Sequence, residues 1–111
     1  MSCTYYTMNA SVSDPENKYV KKEYGEIYDV DGILFGATRN CFIRSSDGRM
    51  VRRWIITMLL TGYSVGTADT KSQIVSCIKS RMLGIKEWLR SDKAQGEIAL
   101  FCKLVLEEVR K

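Results

Sequence analysis

Apolar positions in most of this chain recur at helical or strand-like spacings, while the first stretch shows no period. Ile74, Ile78, Met82, Ile85 and Leu89 recur at steps of four, four, three and four, the spacing of one stripe on an α-helix. Lys71, Lys79, Lys86 and Arg90 fall off that stripe and Asp69 stands at a capping position, so a helix is predicted over residues 69–90. Ile98, Phe101, Leu104, Val105 and Val109 repeat the pattern. Asp92 with Gln95 resembles a capping box, and residues 93–110 form the next predicted helix.

Residues 47–61 support two readings. Trp54, Ile55 and Ile56 after a Ser-Asp-Gly turn suit a strand. Val51, Trp54, Ile55, Met58 and Leu59 fall at i, i+3, i+4, i+7 and i+8, with Ser46 or Asp47 as cap and Gly62 at the C′ position. The periodicity weighs more, and a helix is expected. Trp54 and Trp88 would then anchor the core from the first and second helices.

Residues 18–45 are rich in β-branched and aromatic side chains broken by turn residues. Asp31-Gly32 is a hairpin signal between residues 26–30 and 33–37, and residues 40–44 make a third extended piece. Residues 1–17 are polar, hold the only proline and show no period, so a mobile or loosely docked arm is expected there. Tyr5, Tyr6 and Met8 could pin it to a surface. The predicted class is α+β: a small antiparallel sheet of two or three strands at 18–45, then three packed helices at 47–61, 69–90 and 93–110. Residues 18–111 would form a single globular domain, within the usual size of one core.

Composition narrows the chemistry. The chain has 111 residues and no histidine, which removes His bases, Ser-His and Cys-His nucleophiles and every His-containing metal site. Cys3, Cys41, Cys77 and Cys102 form no C-x-x-C pair, and no signal peptide or lipidation motif is read. A reducing, cytoplasmic location with unpaired thiols is expected. No apolar run reaches the roughly 20 residues of a spanning helix, so no transmembrane segment is expected. Lys and Arg total 17 against 13 Asp and Glu. Residues 1–46 hold 5 basic and 6 acidic side chains, and residues 47–111 hold 12 and 7.

Asp29-Val30-Asp31-Gly32 resembles, within eight residues, the D-x-D-G signature of haloacid-dehalogenase-type phosphatases. That resemblance implies Asp29 as nucleophile and Asp31 as proton donor. The family's apolar strand before the motif is replaced here by Lys22-Glu23-Tyr24-Gly25-Glu26, so the hairpin turn is the reading taken. Position 12 of a calcium loop counted from Asp29 would be Asn40 rather than Glu, which argues against calcium. Neither a cofactor nor a metal is expected.

Arg39, Arg44, Arg49, Arg52 and Arg53 are the strongest functional signal. Guanidinium groups bind phosphates bidentately and stack on bases, and Tyr24, Tyr28 and Phe42 could add stacking platforms. A helix-turn-helix reading fails because the loop before residue 69 is nearer seven residues than three or four. The sequence therefore suggests a small non-enzymatic accessory protein whose Arg-rich face takes RNA, single-stranded DNA or an acidic protein surface. The alternative is a self-associating assembly protein of viral matrix or capsid type, a homo-oligomer joined through the arm or a sheet edge.

Overall fold

The computed structural model describes residues 2–43 and 47–111. Among them lie β1 (Ser2–Ala10), β2 (Lys18–Val30), β3 (Ile33–Ile43), β4 (Met50–Met58) and β5 (Ser64–Ala68). A 3-10 turn at Lys71–Gln73 leads into α1 (Ile74–Leu89), and α2 (Asp92–Val109) follows. Every strand pairs antiparallel with the next in sequence, so the sheet is an up-and-down meander in the order β1-β2-β3-β4-β5.

The sheet curls into a half-barrel because β2 divides its pairing. Its residues 18–26 pair with β1, and its residues 26–30 pair with β3. Gly25 sits at that corner, where a Cβ would lie 2.2 Å from the Ala37 carbonyl oxygen. Only glycine lets the two backbones come so close. The curl brings the outer edge of β1 round to the β4–β5 turn, where the Met8 N–H donates to the Gly62 carbonyl at 2.8 Å. Gly62 has a φ of 74°, and a Cβ there would strike Phe101 and the Met8 nitrogen.

The expected plan of two or three strands followed by three helices is therefore corrected to five strands and two helices. Residues 47–61, expected as a helix, contain β4. Its even positions Trp54, Ile56 and Met58 face the helices, while Ile55 and Thr57 face the opposite, concave side. With Ile56, Thr57 and Met58 all buried, the apolar run is nearly continuous and the period of two is hidden. Trp54 thus lies on a strand, and only Trp88 is helical. Residues 64–68, read as loop, are β5. The lead segment, expected as an arm, contains β1, whose nine register partners in β2 supply the hydrogen bonds that its own composition does not advertise.

Two clusters hold the helices. Ile74, Ile78, Met82 and Ile85 of α1 pack on Val30, Phe35, Ala37, Ile56, Met58 and Ala68. Phe35, Ile56, Ile74 and Ile78 are fully buried, each worth about 1.5–3 kcal/mol of transfer free energy. Phe101 of α2 packs on Met8 and Val20. The Ser91 hydroxyl accepts from the Ala94 N–H at 3.2 Å, capping α2 and turning the chain between the helices. Asp31 (φ 55°) and Gly32 (φ 79°) make the β2–β3 turn, and the Gly32 N–H donates to the Asp29 carboxylate at 3.1 Å. Among the described residues no helix is long and apolar enough to cross a membrane.

Candidate functional site

β3 and β4 extend past the rest of the sheet. Residues 39–43 of β3 and 50–53 of β4 pair with each other, whereas the β2 register stops at Ala37 and the β5 register at Trp54. The result is a two-stranded ribbon. Residues 38–54 contain five arginines and one aspartate, so the rest of the chain balances at 12 basic and 12 acidic side chains. The whole formal net charge of +4 therefore falls within the sequence interval 38–54, four of whose five arginines lie among the described residues.

Strand alternation sorts the arginines between two faces. Arg39 lies directly across from Trp54, and Arg52 is two residues along the same strand face as Trp54. All three share the helix-bearing side of the sheet. With the exposed ring of Tyr24 and with Glu26, Arg39 and Trp54 line a groove of about 280 Å³. Lys71 holds Glu26 at 3.2 Å, and this ammonium keeps the Glu26 carboxyl below its ordinary range. Arg39, Arg49 and Arg52 are exposed and form no salt bridge with any described residue.

Arg53 is separated from this group. It projects from the opposite face, and its Nε lies buried 3.0 Å from the Asp69 carboxylate, although the N–H is not aligned for a hydrogen bond. Arg49 sits beside the Asp47-Gly48 turn, its N–H donating to the Asp47 carboxylate at 3.0 Å. Arg44 and the side chain of Phe42 lie outside the described residues. Tyr28 packs against the core under α1, and burial raises its phenol above the ordinary tyrosine range. It offers less of a platform than Tyr24. The structure thus gathers Arg39 and Arg52 beside Trp54 and Tyr24. Trp54 was assigned to the core by the sequence; its position opposite Arg39 needed the strand register.

The concave face of the half-barrel carries a second feature. Side chains of Tyr5, Asn9, Glu23, Thr38, Ile55 and Thr57 line a polar cup of about 250 Å³, walled by the Met8–Gly62 contact. Tyr5 is only 6% exposed. Burial pushes its phenol upward, the neighbouring Thr38 hydroxyl opposes this, and the Glu23 charge adds to it. All five strands contribute to this cup, β5 through Ser64, so no local motif encodes it. The available signal was the alternation Tyr5-x-Thr7-x-Asn9 in the lead segment. A larger groove of about 530 Å³ runs between α1 and the β4–β5 turn, but among the described residues Arg81 is the one charged side chain lining it.

This is a curled antiparallel meander backed by two C-terminal helices, with a basic ribbon at one end. Comparison with protein-family models, curated proteins and solved structures gives no match.

Proposed function

We propose that the protein is a non-enzymatic binding protein that holds single-stranded nucleic acid along the β3–β4 ribbon. The observation that carries this reading is the excess of positive charge on and beside this ribbon among the described residues, Arg39, Arg49, Arg52 and Arg53 against Asp47, with Arg39 across from Trp54 at its base. Guanidinium groups engage phosphates with paired donors, and an indole beside them offers a stacking surface for an unpaired base. Bases in a duplex are already stacked and cannot use such a platform, which favours RNA or DNA in single-stranded form. Arg39, Arg49 and Arg52 carry the contacts. Arg53, tied to Asp69, contributes to the local fold.

Anisotropy of labelled oligo-dT and oligo-U across a salt series tests the reading. Arg39→Glu with Arg52→Glu is expected to weaken binding at least about 10-fold. Losing two phosphate contacts lowers the salt slope by about 1.4, from about 0.7 for each contact on a single strand. Arg53→Ala leaves the slope near that of the wild type. Unchanged affinity in the double variant, or no binding of either oligomer by the wild type, overturns the proposal. Binding of polyglutamate alone would transfer the ribbon to an acidic protein partner.

A further inference from the structure

The concave cup is separate from the ribbon's basic face and has its own chemistry. Thr57 is 3% exposed and forms no hydrogen bond through its side chain among the described residues, yet it lines the cup. Among the described residues only the Arg53 Nε is a buried side-chain polar atom without a hydrogen bond, so the Thr57 hydroxyl opens onto the cup and is free to bond an occupant. Glu23, half-buried on the same wall, forms no salt bridge or side-chain hydrogen bond among the described residues. The nearest cation along its own strand face, Lys21, lies with its ammonium over the Tyr19 ring at 5.8 Å. Arg53, on the same side of β4, is held by Asp69. The Asn9 amide nitrogen donates to the Thr7 carbonyl and hydroxyl at 3.2 and 3.1 Å, which turns its oxygen away from those bonds as a further acceptor.

The lining thus carries several hydroxyls and amides that can donate or accept, but its one charged group is the Glu23 carboxylate, and no Lys or Arg lines it among the described residues. A phosphate or carboxylate ligand would be repelled by Glu23, and an apolar one would leave these groups unsatisfied. A head group bearing several N–H donors and a positive charge meets all of them. The volume of about 250 Å³ is below the usual range for drug-sized ligands, so the occupant is small.

We infer that the concave cup binds a small organic cation headed by a primary ammonium or guanidinium group, with Glu23 as counter-ion and Thr57 as a second acceptor. This inference does not depend on the ribbon's binding nucleic acid.

The test is an NMR titration of the full chain with methylammonium and methylguanidinium, using urea as a neutral control of similar shape. Saturable shifts are expected at the amides of Tyr5, Glu23 and Thr57, with a Kd on the order of millimolar. Glu23→Gln is expected to weaken binding about 10-fold, the scale of one charge-assisted hydrogen bond. Thr57→Val weakens it less. N-acetyl-arginine amide carries the same head group on a peptide unit: tighter binding by it assigns the source to a protein side chain, weaker binding to a free small molecule. Shifts linear with cation concentration, shifts located elsewhere, or equal response to urea overturn the inference. Those wild-type readouts hold even if Glu23→Gln fails to fold.

Discussion

Tyr5 lies against the backbone of Gly36, two strands away across the curled sheet. A Cβ on Gly36 would sit 2.6 Å from the Tyr5 Cζ and within 2.9 Å of two more ring atoms. The contact joins β1 to β3 through side-chain packing, with β2 spanning the distance between them.

Gly36→Ala is therefore expected to destabilise the protein by about 1–3 kcal/mol, the usual cost of overpacking. Tyr5→Phe, which keeps the ring, leaves the packing in place. Urea unfolding with a constant m-value checks both. Equal midpoints for Gly36→Ala and wild type would show that the ring has room to move.

Phe101 holds α2 on the sheet through Met8 and Val20, and its ring fills the space beside Gly62. Phe101→Ala is expected to cost about 3–5 kcal/mol. Because α1 keeps its own cluster, the loss falls first on α2. Hydrogen exchange reads this as reduced protection of the α2 amides ahead of those of α1. Uniform loss across both helices would show that the two clusters unfold as one unit.

Alkali provides a third test. The Tyr5 phenol is raised above its ordinary value of 10.0, chiefly by burial. Below pH 10 both folded and unfolded chains keep the proton, and the stabilisation is fully present. As pH rises, the unfolded chain releases it first, so stability falls until the native phenol also ionises. Lys18, raised chiefly by its hydrogen bond from the ammonium to the Tyr63 hydroxyl, loses its contribution in the same direction. Thermal melts between pH 9 and pH 11 are expected to decline, and Tyr5→Phe to decline less. Parallel curves for the two proteins would remove Tyr5 as the cause.

Some of this architecture was legible in the sequence. Ile74, Ile78, Met82 and Ile85 state the buried face of α1 because a helix closes its hydrogen bonds within one segment, so its pattern is local. Asp31-Gly32 states a turn because both residues accept a positive φ. The five arginines were visible as a cluster, but their division into Arg39 and Arg52 on one face and Arg53 on the other was not. It depends on which strand each belongs to.

What the sequence determined by itself was the pair of C-terminal amphipathic segments, the one tight turn and the location of the excess positive charge, since each depends on neighbours a few residues apart. The strand identity of residues 50–58, the incorporation of the lead segment as β1 and the cup between Tyr5 and Thr57 were decided by tertiary structure. A strand satisfies its backbone only through partners distant in sequence, and β4 acquires its character from β3 and β5 on either side. The curl that closes the cup rests on backbone approaches at Gly25 and Gly62, where the absence of a side chain acquires meaning only once the opposing atoms are in place.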